Sequence, residues 1–294
     1  MHRILVVFLW LLMAFNAVAA EVQGTAEQRL IEQLSRQLAQ GEVASLQVGD
    51  HKVFAIFSET ITGSAQGGAI LLHDNGAHAN WPAVIEPLRK GLPQFGWSTL
   101  SLQLPLVSGE TLVGYSAALS EIFSRIKAAT DFLHAKGITN IVIIGDGMGA
   151  IAAAAYAASA DAAQIKAFVG INVGYFKGAD AKIDTLALIE KITMPMLDIF
   201  GTSARVEVVG SAETRATAAK KAGIKAFQSQ KLDSFKQSAV ARTPFVDKTG
   251  YIAYRQMKII GADSGFTAME DLLLKRIVGW LRKHAPGVTV AQKG

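Results

Sequence analysis

From residue 68 to the end of the chain, strand-length runs rich in β-branched and large apolar residues alternate with longer stretches that are apolar on one side only. The runs are Gly68 to His73, Trp97 to Leu104, Asn140 to Ile144, Ile165 to Val173 and Pro195 to Phe200. A near-continuous apolar run is the mark of a strand covered on both faces. Between them lie helical patterns. Pro82 to Gly91 opens with Pro in its first turn. Tyr115 to Lys136 places Leu119, Ile122, Ile126, Ala129 and Leu133 on one stripe and is closed by Gly137. Ile151 to Ser159 is alanine-rich, and Thr185 to Lys191 and Ala268 to His284 complete the set. This alternation predicts the α/β class, a doubly wound, mostly parallel sheet with helices on both faces.

The two ends of that pattern read differently. Residues 25–40 form an amphipathic helix with Leu30, Leu34 and Leu38 in line, and Ser45 to Thr60 reads as a β-hairpin turning at Gly49-Asp50. Val53, Ala55 and Phe57 alternate along its second strand. Glu213 to Ala222 predicts a helix stopped by Gly223. The segment from Lys221 to Phe227 is faintly echoed from Lys248 to Tyr254; the first copy reads as a helix stop leading into an extended piece, the second as the start of a core strand, Ile252 to Ile260. Asp233 to Thr249 is left as an insertion. The organisation expected is 1–20 as a leader, 21–64 as an N-terminal helix and hairpin, and 65–294 as the α/β domain, with 202–250 as a variable insertion or lid.

The leader follows from residues 1–21. Arg3 precedes an apolar run from Ile4 to Phe15, and small residues lead to Ala20-Glu21. A basic start, a short apolar core and a small-residue break describe a secretory signal peptide, cleaved near Ala20. The run is shorter than the roughly 20 residues of a spanning helix, so no stable membrane anchor is expected after cleavage. The chain has no cysteine, which excludes disulfides, a thiol nucleophile and a lipidated N-terminal Cys. Such an exported chain relies on core packing, and the roughly 270 residues left are enough for one well-buried domain. The expected location is the periplasm. The net charge of +5 falls to +4 with the loss of Arg3, and the basic residues are scattered without interleaved aromatics. A nucleic-acid partner is therefore not expected.

The chemistry concentrates at one junction. Ile141 to Ile144 runs into Gly145-Asp146-Gly147-Met148-Gly149 and then into the alanine-rich helix. Strand, alternate glycines and helix are the setting of a nucleophile elbow, G-x-S-x-G, but the central position is Gly147. Two more landmarks flank it: Leu71-Leu72-His73-Asp74-Asn75-Gly76 before a helix, and Lys258-Ile259-Ile260-Gly261-Ala262-Asp263-Ser264 before the last one. On these three landmarks, residues 65 to 284 resemble the α/β-hydrolases, and more closely an uncharacterised family of exported proteobacterial proteins with that fold. The resemblance implies a fold and a pocket location, with no established substrate.

It also implies a nucleophile at the elbow, an acid after a late strand and a His after the last one. The matching positions hold Gly147, Ala204 and Ser264, with Glu207 near the second. No His lies between residues 135 and 283. The expectation is a protein without a usable triad, serving to bind a small molecule or an envelope protein. Its candidate pocket is lined by His73, Asp74, Asn75, Gly76, His78, Asp146, Gly147, Met148, Asp263 and Ser264. In detail, 74–76 supply an oxyanion N–H, Asp146 points away to cap the following helix, and Asp263 and Ser264 cap the last loop. Asp198, inside a strand, needs a buried partner. The competing reading is an active ester or amide hydrolase in which His73 or His78 activates a water. His73, Asp74 and His78 have poor spacing for a metal, and the glycines lack the P-loop Lys or a ribose-binding acid, so no metal and no cofactor are expected.

Overall fold

The computed structural model describes residues 26–107, 111–233 and 254–287, with backbone only for 224–233. The leader, residues 1–20, and the insertion expected beyond Asp233 lie outside the described residues. The chain divides into two units, 1–39 and 40–294. The first contributes one described helix, α1 (26–37). The second carries everything else. No helix among the described residues is long and apolar enough to cross a membrane.

The second unit runs β1 (Glu42–Val48), β2 (His51–Ser58), β3 (Gly67–Leu72), α2 (Ile85–Gly91), β4 (Trp97–Leu102), α3 (Leu112–Ala135), β5 (Ile141–Asp146), α4 (Met148–Ala157), β6 (Ile165–Ile171), α5 (Thr185–Ile189), β7 (Met196–Gly201), α6 (Val206–Val209), α7 (Ala212–Asp233), β8 (Tyr254–Ile259) and α8 (Glu270–His284). Eight strands make one sheet in the order β1-β2-β4-β3-β5-β6-β7-β8. The hairpin β1–β2 joins it antiparallel, and every pair from β4 to β8 is parallel. One face packs on α3, α4 and α5 through residues such as Leu119, Ile122, Ala152 and Leu188. The other packs on α2 and α8 through Leu88, Leu273, Ile277 and Leu281. All ten residues of α4 are buried, as an alanine-rich helix in the middle of a layer must be.

Several expectations change in detail. The boundary drawn at residue 65 falls inside the sheet, because the hairpin is its antiparallel end. Val53, Ala55 and Phe57 do face one core, but Phe54 and Ile56, on the opposite face of the strand, are buried as well. Pro82 precedes its helix by a turn, and the helix proper starts at Ile85. Gly223 does not stop α7, which runs through it to Asp233. One interior glycine costs only about 1 kcal/mol relative to alanine, which does not by itself end a helix. The last strand is an edge rather than a core strand, and of its residues only Ile259 is fully buried.

A buried polar cluster fastens this edge. Asp198 on β7 and Arg215 on α7 are both fully buried. Asp198 accepts from Arg215 Nε at 2.8 Å and Nη2 at 3.2 Å, from Tyr254 Oη at 2.7 Å and from Gln256 Nε2 at 3.0 Å. Arg215 Nη1 donates on to Val208 O and Ser211 Oγ. The partner that a buried carboxylate requires is thus a guanidinium from the next helix, in a two-pronged pair. Removing one side leaves the other charged and dry. Arg215→Met should lower stability to urea by about 3–5 kcal/mol, and the double change Asp198→Asn with Arg215→Met should recover at least half of that.

Candidate functional site

The loops that follow β3 to β8 all leave the same end of the sheet, because these strands are parallel. Open α/β sheets build their sites at this carboxyl edge. At its centre, β5 turns into α4 through Gly147, whose φ of 55° and ψ of −119° belong to a strained elbow. A side chain rarely adopts this φ without tertiary support. Close approach matters as well: a Cβ on Gly149 would strike the carbonyls of Leu72 and His73, so the helix start could not sit against the end of β3.

The space a nucleophile would use above Gly147 is filled. A Cβ built there would run into the carboxyl group of Asp74. Asp74 Oδ1 accepts from Met148 N at 2.6 Å and from Asn75 N at 2.8 Å. In the elbow geometry, the N–H after the nucleophile and an N–H from the loop after β3 form the oxyanion hole. Here both point at a side chain of the same molecule. Asp74 Oδ2 pairs with Arg205 Nη1 at 2.9 Å, and Arg205 Nε pairs with Glu207 at 3.2 Å. Arg205 N donates to Ser264 Oγ at 3.2 Å, which ties the loop after β7 to the loop after β8.

His73 holds the loop that delivers Asp74. It is buried; Nδ1 donates to Asp74 O at 2.7 Å and Nε2 accepts from Leu104 N at 3.0 Å. These partners fix one neutral tautomer, and burial lowers its pKa to about 4. Downstream, Ser101 Oγ donates to Ala79 O and Gln103 Oε1 accepts from Ala79 N. His78 is half-buried, accepts from Asn80 N at 3.2 Å and lies edge-on to Trp81. Burial lowers its pKa too.

Asp146 is buried and does not cap α4, contrary to expectation; that helix end has no cap from Asp146, and Asp74 takes its first N–H instead. Asp146 Oδ1 accepts from Asn172 Nδ2 at 2.9 Å, and the same amide donates to Ser264 O at 2.8 Å. Asn172 sits at φ 51° just after β6, a conformation that Asn tolerates better than most residues. Burial, then the nearby charge of Asp74, pushes the Asp146 pKa up to about 7. Asp263 does act as a cap, accepting from Thr267 N and Oγ1, and these bonds hold its pKa below the usual carboxylate value.

The structure therefore brings Asp74, Asn75, Asp146, Gly147, Met148 and Ser264 together and leaves His78 and Asp263 in separate local bonds. Gly76 borders a neighbouring cavity. Arg205, Asn172 and Tyr115 belong to the site and were not foreseen. Arg205 lies one position past the matched Ala204, but an acid was sought there, so a base carried no signal. A cavity of about 70 Å³ beside the loop after β3 is lined by His73 to Ala77, Leu104 to Val107 and Tyr115. Asp74 and Arg205 occupy the elbow's mouth. A groove of about 780 Å³ between β8 and α8 is lined by none of these residues. Among the described residues, no group of three Asp, Glu or His side chains is placed to share a metal ion.

Strand order, elbow and loop placement define an α/β-hydrolase fold. Solved structures agree. Est1E from Butyrivibrio proteoclasticus matches with TM-score 0.57 and 14% identity, over 83% of this chain and 99% of that one. An alpha-beta serine hydrolase homologue from Coxiella burnetii matches at 0.55 and 13%, over 83% and 99%. A cold-adapted esterase from an Arctic intertidal metagenomic library matches at 0.57 and 15%, over 83% and 93%. At such identities the likeness is one of fold. The chain itself belongs to the DUF3530 family, proteins of unknown function, whose model matches residues 16–121 and 114–242. No curated protein matches.

The raised Asp146 value makes a signed prediction. Its folded pKa lies above its unfolded one, near 3.8, so the folded state holds the extra proton between those values. Asp146 therefore costs nothing below about pH 4, and its penalty grows as pH rises toward 7. Asp146→Asn keeps the acceptor for Asn172 and cannot ionise. Its melting temperature relative to the unaltered chain should climb by several degrees between pH 5 and pH 8; a flat difference would contradict the assignment.

Proposed function

We propose that this chain is an exported, non-catalytic binding protein of the bacterial envelope, built on an α/β-hydrolase scaffold. The observation that carries the proposal is Asp74 Oδ1 on the N–H groups of Met148 and Asn75. An oxyanion hole works by waiting for charge that develops in a transition state. One already holding a full carboxylate offers nothing to a carbonyl oxygen. Gly147 supplies no attacking atom, and Ala204 and Ser264 supply no acid and no base. The fold alone is what the esterase-named structures share with this chain.

Export and a periplasmic home rest on the leader pattern of residues 1–20, and the absence of cysteine is consistent with them. The partner is taken to be a small molecule or an envelope protein. The competing reading, water activated by His73 or His78, has less support. Both ring nitrogens of His73 are engaged with backbone, and Nδ1 of His78 accepts from Asn80 N.

A panel of short acyl esters and a fluorophosphonate probe tests this reading. No turnover and no labelling are expected. Ester turnover abolished by His78→Ala but retained in Ser264→Ala would overturn it. A constructive test follows from the filled elbow. Gly147→Ser with Ala204→Asp and Ser264→His should remain unlabelled while Asp74 is present, and labelling should appear when Asp74→Gly is added.

A further inference from the structure

We infer that the oxyanion hole of this chain is a binding site for a small monocarboxylate, whose carboxylate takes the place now held by that of Asp74. The inference rests on the non-catalytic reading above and adds the class of ligand. Three groups converge on one anionic position: Met148 N–H, Asn75 N–H and the guanidinium of Arg205. Two backbone donors and an arginine are a carboxylate receptor in their own right. The occupant seen there is itself a carboxylate, which shows the shape and charge that the position accepts.

A second observation lies beside it. The cavity of about 70 Å³ touches Asp74 and is otherwise largely apolar, with Leu104, Pro105, Leu106 and Val107 on its wall. Tyr115 also lines it, is only 2% exposed, and has a buried hydroxyl with no hydrogen-bond partner among the described residues. An unpaired buried hydroxyl is costly, so a ligand that accepts from it is favoured. A cavity of this size holds roughly two or three carbon-sized groups, given about 30 Å³ for one water in the liquid. Acids such as propionate and butyrate fit: a carboxylate for the donors and a short tail for the cavity.

Asp74 then acts as a tethered competitor. The ligand binds only when Asp74 swings out, and its apparent affinity is reduced by the fraction of molecules in that state. If that fraction is between 1 and 10%, deleting the side chain raises affinity about ten- to a hundredfold.

The test is calorimetric titration of the full chain with propionate, propionamide and acetyl-Ala-Ala. The chain is compared unaltered, as Asp74→Ala, and as Asp74→Ala with Arg205→Gln. Propionate should bind Asp74→Ala at least tenfold more tightly than the unaltered chain, and the added Arg205→Gln should reverse most of that gain. The neutral amide should not bind detectably. The peptide, which carries the same carboxylate on a bulkier stem, should bind more weakly than propionate. Equal affinity of Asp74→Ala and the unaltered chain for propionate overturns the inference, as does equal binding of acid and amide. Tighter binding of the peptide overturns the small-acid assignment and makes the site a reader of chain ends. If Asp74→Ala does not fold, Asp74→Asn, which keeps the shape and loses the charge, should still gain at least threefold, and no gain overturns the inference. Ester turnover with normal propionate binding would sink the non-catalytic reading and leave this one standing; no turnover and no binding does the reverse.

Discussion

The site is organised by one carboxylate. Asp74 satisfies the first N–H of α4 and an N–H of its own loop, and it neutralises Arg205. Its partner Met148 lies 74 positions away. The bond therefore pins the loop after β3 onto the elbow after β5, and Arg205 carries the connection to the loops after β7 and β8. A helix start with aligned N–H groups favours an anion whatever its source. Where a nucleophile stands at the elbow, that preference is held for a charge that appears in passing. In this chain it is met by a side-chain carboxylate of the chain itself, which clamps the loop after β3 to the elbow.

The clamp has an electrostatic consequence. Asp74, Asp146 and Glu207 crowd around a single guanidinium. On Asp146, which is buried, desolvation and the neighbouring negative charge of Asp74 act in the same direction and raise its pKa. Asn172 offsets part of this through its amide while presenting a backbone angle that few side chains would accept. The edge of the sheet follows a different rule. Asp198 is buried too, and it accepts from a guanidinium, a phenol and an amide at once.

Much of the fold was legible because both faces of the central strands are covered. Runs such as Ile141 to Ile144 have no other stable use, and their alternation with helices restricts the topology. The parts that escaped were decided at a distance. Whether β2 has one buried face or two depends on what packs above and below it in the folded chain, and Gly223, an ordinary stop signal, lies inside a helix that continues to Asp233. At the site, the glycine at the centre of the elbow was legible because it is a matter of identity at one position, Gly147. The carboxylate that lies against it was not. Asp74 reads as an ordinary loop residue until the chain folds its carboxyl group over the elbow, and Arg205 stands one place beyond a position where only an acid had meaning. His73, just after β3, bonds to backbone through both ring nitrogens and so sets the path of Asp74.

The most direct measurement of the central claim is the amide spectrum of the two donors. An N–H that donates a short bond to a carboxylate resonates far downfield and exchanges slowly with solvent. In a proton–nitrogen correlation spectrum, Met148 and Asn75 should both show this. Both should move upfield together when Asp74 is changed to Asn, with the amide of Lys166, on another part of the sheet, unmoved. A Met148 amide at an ordinary shift, exchanging freely and indifferent to that change, would mean that the hole stands open and that the account is wrong.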